Sequence, residues 1–168
     1  MAVYLIVYPS PVGDLTLVSN GEALTGLWMA GQKYFASGIR EPFVDGGNLP
    51  LLQEASAWLD VYFGGHAPKA IPFPLLPAGS EFQRRVWQAL MQIPYGQTAT
   101  YGQIACALGM KKTAARAVGA AIGRNPIAIF IPCHRVLSAA GDLTGFAGGI
   151  ERKLWLMQHE QSAGASGL

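Results

Sequence analysis

Short apolar runs alternate with turn-forming residues at the start of the chain. The runs "VYLIVY", "LTLVSN" and "ALTGLWMA" are rich in β-branched, aromatic and aliphatic residues, and "PSPVGD" and "NGE" separate them. Runs of this length between Pro, Gly, Asn and Asp are typical of strands joined by tight turns. We therefore predict a small antiparallel sheet over residues 2–30, followed by a loop-rich connection over residues 31–48.

The spacing of apolar residues then becomes helical. The segment "PLLQEASAWLDVYFGG" has apolar residues at helical intervals and ends at a Gly-Gly pair, which predicts a helix. The next segment, "HAPKAIPFPLLPAGS", contains four prolines and is typical of a linker. We therefore predict two domains: residues 1–75 hold the sheet, the helix and the linker, and residues 76–168 form the second domain.

Several helical segments follow the linker. Ser80 is the predicted N-cap of the helix "EFQRRVWQALMQI", which we expect to end at Pro94. Thr100 is the predicted N-cap of the short helix "TYGQIACALG", and "MKK" connects it to a second short helix, "TAARAVGAAIGRN". Two short helices joined in this way form a helix-turn-helix. The last helix is "GIERKLWLMQHEQ", and we expect the final residues, "QSAGASGL", to be disordered.

This order of elements predicts an α/β protein of the α+β kind. A small N-terminal antiparallel sheet domain with a helix precedes a mostly helical C-terminal domain that contains a helix-turn-helix. No apolar run approaches the roughly 20 residues that span a bilayer, and no basic residues precede the first apolar stretch. We therefore expect a cytoplasmic protein with no membrane partner.

The cysteines and histidines give no sign of a cross-link or a metal. The two cysteines, Cys106 and Cys133, are expected to be free thiols, and we expect Cys106 to pack in the core. No Cys and His residues have the close spacing of a zinc site, so neither a metal nor another cofactor is predicted.

The charge distribution adds a candidate partner. The stretch from Phe82 to Arg135 has no Asp or Glu and carries seven of the 12 Lys and Arg residues of the chain. A long stretch of one charge sign favours a polyanionic partner, and nucleic acid fits this pattern best. A solvated surface that happens to be basic is the alternative.

The second helix of the helix-turn-helix has almost no side-chain bulk. Gly119 in its interior costs about 1 kcal/mol relative to Ala. A face of small residues is expected either to pack closely against another helix or to enter the narrow minor groove of DNA, and the sequence does not decide between the two. Arg116, which protrudes from this face, fits a DNA contact or an ordinary surface cation. The small residues are Thr113, Ala114, Ala115, Ala117, Gly119, Ala120 and Ala121.

The segment "AIFIPCHRV" places a thiol next to an imidazole. We interpret "IAIFIP" as a buried extended run that ends at Cys133, which is either a core cysteine or a nucleophile favoured by a nearby imidazole or cation. Neighbouring side chains on a strand point to opposite faces, so His134 would act on Cys133 through a bridging water, with a carboxylate orienting the ring. Glu160 is preferred as that carboxylate over Asp142 and Glu151.

The chain resembles the O6-alkylguanine-DNA alkyltransferases, also called methylated-DNA–protein-cysteine methyltransferases. The resemblance covers most of the chain and is strongest over residues 82–160, where it rests on "FQRRVWQAL", "IPYGQTATYGQIA", "AARAVGAAIGRNPIAIFIPCHRV" and "GFAGGIERKLWLMQHE". It implies flipping of a damaged base out of double-stranded DNA, then irreversible transfer of the alkyl group of O6-alkylguanine, or of O4-alkylthymine, to a cysteine of the protein. It also implies a monomer, and cooperative binding along DNA is left open.

The resemblance implies roles for individual residues. Cys133 corresponds to the alkyl acceptor, and His134 to the histidine that draws the thiol proton through a water. Glu160 corresponds to the acid that holds this histidine, and Asn125 to the asparagine that ties these groups to the helix-turn-helix. Tyr101 corresponds to the tyrosine that turns the target phosphate and assists the leaving purine.

The DNA contacts and the lesion pocket follow from the same resemblance. Arg116 corresponds to the arginine that fills the gap left by the flipped base, on a helix that lies in the minor groove. The backbone carbonyls of the acceptor cysteine and Val136 would read the purine amino group. Phe146, Ala147 and Gly148 lie on the loop over the pocket. Relatives often have Tyr at the first of these positions and some have Ser at the second, which leaves the preferred alkyl size open.

Three other functions are less consistent with these residues. A protein that binds alkylated DNA without repairing it would lack the acceptor, whereas Cys133 is present. A transcriptional regulator would carry large polar residues on its recognition helix rather than Ala and Gly. A cysteine hydrolase would need an oxyanion hole, and no Gly-rich donor loop stands out.

Overall fold

The N-terminal part of the chain forms a four-stranded sheet. The structure, a computed structural model, describes residues 2–36, 39–142 and 146–166. The strands β1 (Val3–Ser10), β2 (Gly13–Ser19) and β3 (Leu24–Met29) pair antiparallel, as predicted. A short β4 (Phe43–Asp45) pairs parallel with β1 and gives the order β3-β2-β1-β4. Strand β4 lies within the connection over residues 31–48 that was predicted to be loop-rich, and a three-residue strand leaves no readable alternation in the sequence.

One helix covers this sheet. Helix α1 (Pro50–Phe63) has Pro in its first turn, where a missing backbone N–H costs nothing, and it ends before the predicted Gly-Gly pair. Its buried face is spaced by three and four residues and consists of Leu52, Ala55, Leu59 and Tyr62. The predicted helix is confirmed.

The C-terminal part contains four α-helices among the described residues: α2 (Glu81–Leu90), α3 (Tyr101–Ala107), α4 (Ala115–Gly123) and α5 (Ile150–Ser166). Ser80 and Thr100 each close a capping box with the Gln three residues later, which confirms both predicted N-caps. Helix α2 ends at Leu90, earlier than predicted. Helix α5 continues through Ser166, so the prediction of disorder from residue 161 is wrong up to that residue.

The free edge of β3 joins the N-terminal sheet to the rest of the chain. Leu24 N donates to Pro74 O of the linker at 2.9 Å, and Leu27 N donates to Pro126 O at 2.8 Å. Ala128 N donates back to Leu27 O at 3.2 Å. These bonds cover an edge that would otherwise expose unpaired backbone groups, and they fix the segment that leads to Cys133 against the sheet. The domain boundary after residue 75 stays a prediction.

The segment before Cys133 folds back on itself. Phe130 N donates to Ala128 O at 2.9 Å, and Ile131 N donates to Ile127 O at 3.0 Å. Ile129, between them, has φ 72°, a conformation that β-branched residues rarely adopt. The prediction of an extended run is therefore wrong, because an uninterrupted apolar run indicates burial but not backbone conformation.

Two further predictions concern the state of the cysteines and the absence of a membrane-spanning segment. Both cysteines are free thiols, as predicted, but Cys106 is exposed. The buried face of α3 is occupied by its neighbours Ile104 and Ala105, so the prediction that Cys106 packs in the core is wrong. None of the helices in the described ranges is long and apolar enough to cross a membrane.

Candidate active site

Cys133 begins a 3₁₀ turn, Cys133–Arg135, and is buried with 5% of its surface exposed. The thiol therefore does not lie at the end of a strand. Burial raises the pKa of the Cys133 thiol, while a hydrogen bond with the Asn125 side chain and the positive charge of Lys153 act in the opposite direction. A thiol with a raised pKa is mostly protonated, so it needs a base before it can act as a nucleophile.

Asn125 connects the thiol to the end of the helix-turn-helix. It lies two residues after α4 and is buried. Its Nδ2 donates to Ile131 O at 2.8 Å, and its Oδ1 accepts from Ile127 N at 3.0 Å. Asn125 thus spans the folded-back segment and also hydrogen-bonds to Cys133.

His134 and Glu160 form a buried pair. Nε2 of His134 hydrogen-bonds to Oε2 of Glu160, and the two residues are 0% and 1% exposed. Burial lowers the pKa of His134, although Glu160 opposes this effect. Burial would raise the pKa of Glu160, but hydrogen bonds from His134 and Arg135 hold it well below its usual range. Glu160 is therefore a carboxylate, and the neutral His134 ring carries its proton on Nε2.

The other ring nitrogen of His134 is available as a base. Nδ1 is buried and has no hydrogen-bond partner among the residues that the structure describes. Because Nε2 donates to Glu160, Nδ1 has the lone pair. The sequence predicted that His134 and Glu160 come together, and the structure brings them together.

Glu160 accepts three further hydrogen bonds. Its Oε1 accepts from Arg135 Nε at 2.7 Å and from Gly96 N at 3.1 Å. Its Oε2 accepts from the hydroxyl of Tyr62 at 2.6 Å, in addition to the bond from His134. A buried carboxylate is stable only when its oxygens are satisfied in this way. The four donors fix the carboxylate and, through it, the imidazole.

A short strand pair brings the start of the helix-turn-helix next to this turn. Strand β5 (Ala99–Thr100) pairs parallel with β6 (Val136–Leu137). Tyr101 directly follows β5, and the Cys133–Arg135 turn directly precedes β6. The ring of Tyr101 is 3.6 Å from the point where a Cβ on Gly119 would lie, so the ring lies against α4 at this glycine.

Helix α4 divides the small residues between two faces. Val118, Ala121 and Ile122 are buried, and Trp87 Nε1 donates to Ala121 O at 2.9 Å. Ala121 therefore packs against α2. The predicted DNA contacts of this segment are exposed at Thr113, Arg116 and Ala117 and half-buried at Ala114, Ala115 and Gly119.

The cations of the acid-free stretch also separate into two groups. Arg135 is mostly buried and pairs with Glu160, so it does not contribute to a basic surface. The other six are exposed on α2, on α4 and its ends, and in the turn before α4. They are Arg84, Arg85, Lys111, Lys112, Arg116 and Arg124.

Three of the residues predicted to line the lesion pocket directly precede α5, and residues 143–145 of the same loop lie outside the described residues. Lys33 N donates to Ala147 O at 3.2 Å. A Cβ on Gly148 would lie 2.6 Å from Met29 Sδ, so a larger residue there would displace the Met29 side chain. The N-terminal half therefore supports this loop. Val136 is buried, and the half-buried pocket residues are Phe146, Ala147 and Gly148.

Comparisons with known proteins identify the family. The profile described as "6-O-methylguanine DNA methyltransferase, ribonuclease-like domain" matches residues 3–77, and the one described as "6-O-methylguanine DNA methyltransferase, DNA binding domain" matches residues 81–162. The methylated-DNA–protein-cysteine methyltransferase of Mycobacterium leprae is 48% identical over 156 residues, which cover 90% of this chain and 88% of that protein. The chain belongs to the 6-O-methylguanine DNA methyltransferase family.

Other members of the family agree in sequence and fold. The Haemophilus influenzae methylated-DNA–protein-cysteine methyltransferase is 41% identical over 160 residues, which cover 95% of this chain and 87% of that protein. The crystal structure of the Mycobacterium tuberculosis O6-methylguanine methyltransferase superposes with a TM-score of 0.83 at 44% identity and covers 96% of this chain and 94% of that one. The Mycobacterium tuberculosis OGT in complex with DNA gives 0.84 at 43% identity, with 97% and 94% covered. The resemblance predicted from the motifs is confirmed.

Two residues of the site, Tyr62 and Lys153, were not predicted from the sequence. Tyr62 is 98 positions from Glu160 in the sequence, and no local pattern connects them. Lys153 is 1% exposed and shares one face of α5 with Leu156 and Glu160. A lysine at helical spacing from buried residues is a signal that the sequence did contain.

Proposed function

We propose that the protein repairs alkylated DNA by transferring the alkyl group of O6-alkylguanine, or of O4-alkylthymine, to the sulfur of its own Cys133 in a single turnover. Direct-reversal repair by alkyl transfer to a cysteine is the activity of the family to which the chain belongs. The observation that carries the assignment to Cys133 is its buried thiol beside the His134–Glu160 pair. We propose that the protein acts as a monomer in the cytoplasm.

Access to the lesion requires that the base leave the duplex, because O6 of a paired guanine is stacked inside the helix. The exposed face of α4 carries small side chains that suit a narrow minor groove, and Arg116 projects from it. In the proposed complex Arg116 fills the gap left by the flipped base, and Tyr101 assists its extrusion. The other five exposed cations of the acid-free stretch contact phosphates, so binding weakens as salt rises.

The chemical step begins with loss of the thiol proton. Nδ1 of His134 takes the proton of Cys133 through a water, and Glu160 stabilises the resulting imidazolium. The thiolate attacks the alkyl carbon in line with the bond to O6. A carbon–sulfur bond forms as the carbon–oxygen bond breaks, and the electron pair of the broken bond goes to the purine. A proton then passes to the purine, with Tyr101 proposed to assist this step.

The product explains why the reaction stops after one turnover. A thioether sulfur attached to carbon is a poor leaving group, so the alkylated Cys133 is not regenerated. In the proposed complex the damaged base lies against Val136, Phe146, Ala147 and Gly148 during the transfer. A protein that only bound alkylated DNA would have no use for a buried cysteine thiol next to a buried pair of histidine and carboxylate.

Mass spectrometry after incubation with duplex DNA that contains O6-methylguanine tests the assignment. We expect the intact mass to rise by one CH₂ group, with one methyl transferred per protein molecule when DNA is in excess, and peptide mapping to place it on Cys133. Cys133→Ala should transfer nothing and still bind DNA. Cys106→Ala is the matched control, because it removes an exposed thiol and should react like the wild type.

Two outcomes would overturn the proposal. Repeated turnover with DNA in excess would exclude a stable thioether on the protein. An adduct on Cys106 or on any other side chain would exclude Cys133 as the acceptor.

A further inference from the structure

Helix α1 of the N-terminal half reaches the catalytic carboxylate. Tyr62, in its last turn, is 0% exposed, and its hydroxyl donates to Oε2 of Glu160 at 2.6 Å. Burial and the negative charge of Glu160 raise the pKa of Tyr62 well above its usual value, so the phenol keeps its proton. The hydroxyl is therefore a permanent donor to Glu160.

The position of this hydroxyl is fixed from several directions. The backbone carbonyl of Tyr62 accepts from Nε2 of His159, the residue before Glu160 on α5, at 2.6 Å. The ring stacks on Trp58, with centroids 5.8 Å apart and planes 9° from parallel, and it meets Tyr95 edge-on at 6.0 Å. Two bonds from one residue of α1 thus hold two consecutive residues of α5.

Tyr62 and His134 share one oxygen of Glu160. Both donate to Oε2, whereas Arg135 and Gly96 donate to Oε1. A donor on Oε2 does two things: it stops the carboxylate from rotating away from His134, and it withdraws negative charge from the oxygen that faces the imidazole. Arg135 cannot replace it, because its bond is to the other oxygen.

We propose that Tyr62 is a positioning residue for alkyl transfer. Its hydroxyl holds Oε2 of Glu160 against Nε2 of His134 and reduces the negative charge on this oxygen. The proposal rests on the proposed role of His134 as the base. It makes the N-terminal half a contributor to the chemistry of Cys133, in addition to its support of the pocket loop.

The expected direction follows from the shared oxygen. Without the Tyr62 hydroxyl, Oε2 carries more negative charge and stabilises the imidazolium form of His134 better, so the pKa of His134 rises. The rate of alkyl transfer falls at low pH as His134 becomes protonated, and this acid limb should therefore move to higher pH. The other titratable or charged groups around the pair are unchanged by the substitution. They are Cys133, Arg135, Lys153, Tyr95 and His159.

Tyr62→Phe removes only the hydroxyl and keeps the stacked ring. We expect the acid limb of the single-turnover rate to move up by about half a pH unit, and the rate on the plateau to fall about threefold to tenfold because Oε2 is held less firmly. Tyr8→Phe is the matched control. Its hydroxyl donates to Asp60 on α1 at 2.6 Å, the same kind of bond between a phenol and a carboxylate, but away from the site.

A second variant tests the direction without loss of the hydroxyl. Site-specific 3-fluorotyrosine at position 62 is a more acidic phenol and a stronger donor, so it should move the acid limb to lower pH. The midpoint of the His134 imidazole signal in NMR titrations should follow the kinetics: higher in Tyr62→Phe, lower with the fluorinated residue. This measurement requires neither DNA nor turnover.

The outcomes separate this proposal from the assignment of the reaction. If the wild type methylates Cys133 but Tyr62→Phe keeps the wild-type profile, or loses rate without a shift of the acid limb, Tyr62 is structural and the proposal is overturned. An equal shift in Tyr8→Phe also overturns it. If the wild type does not methylate Cys133 at all, the proposed function fails instead, and the NMR midpoints still decide whether Tyr62 controls His134.

Discussion

Replacing Glu160 with Gln changes the charge of the catalytic network but not its size. The carboxylate accepts from Arg135 and Gly96 on Oε1 and from Tyr62 and His134 on Oε2. A carboxamide has one oxygen and one NH₂ group. With its oxygen on the side of Arg135, the NH₂ group faces His134, whose Nε2 must then accept. The ring proton therefore moves to Nδ1, and the nitrogen proposed to take the thiol proton loses its lone pair.

The expected loss of rate can be taken from a known case of a wrong histidine tautomer, and the expected loss of stability from the burial of Arg135. Loss of the correct histidine tautomer costs about 10⁴ in rate in a serine protease triad, so we expect alkyl transfer to slow by about 10³-fold to 10⁴-fold, or about 4–5 kcal/mol in activation free energy. Removing one partner of a buried ion pair costs about 3–5 kcal/mol of stability. The Arg135 side chain keeps 11% exposure, which places the loss near the lower end, about 3 kcal/mol.

Two measurements test both numbers. Rapid-quench single-turnover kinetics with a duplex containing O6-methylguanine give the rate, and urea unfolding gives the free energy of unfolding. Glu151→Gln is the matched control, because it removes the same charge from an exposed position in the first turn of the same helix. A Glu160→Gln rate within about threefold of the wild type, in a protein that shows the expected loss of stability, would refute His134 as the base.

Two other predictions concern the charges of Arg116 and Glu160. Arg116→Ala should slow alkyl transfer about tenfold from a lesion in duplex DNA but not from the same lesion in a single strand, because only the duplex has a gap to fill. Equal rates on duplex DNA for the wild type and Arg116→Ala would exclude insertion of Arg116. The pKa of Glu160 lies well below its unfolded value of about 4.3. The free energy of unfolding of the wild type should therefore exceed that of Glu160→Gln by the full amount above about pH 5, and this difference should shrink as the pH falls. Urea titrations at several pH values measure the difference. A difference that stays constant down to the pH at which the protein unfolds would contradict the prediction.

Local signals made most of the fold readable from the sequence. The two capping residues, Ser80 and Thr100, are predictable because a hydroxyl at the start of a helical segment accepts from a free backbone N–H of the first turn. The three antiparallel strands follow one another through short turns, so each run predicted its own neighbour. Both cases depend on groups that are close in the chain.

The errors occurred where distant segments decide the local structure. The segment from Ile127 to Ile131 folds back because β3 takes up its first backbone groups and Asn125 takes up others. Strand β4 exists because β1 has an edge to pair with. In neither segment do the residues themselves specify the conformation, and an apolar run is compatible with both a strand and a buried turn.

The catalytic carboxylate shows how far sequence reasoning reaches at this site and what limits it. Once Glu160 is predicted to face His134 in a buried site, physical chemistry requires further donors, since a carboxylate that is 1% exposed cannot rely on solvent. The need for donors is thus predictable, and Arg135, next to His134, is a natural candidate. Which residue of α1 donates to Glu160 cannot be predicted, because the hydroxyl of any of the six tyrosines would satisfy the carboxylate oxygen equally well. Only the packing of α1 on α5 selects Tyr62, so the donor that we propose to tune the basicity of His134 through Glu160 comes from the N-terminal half of the chain.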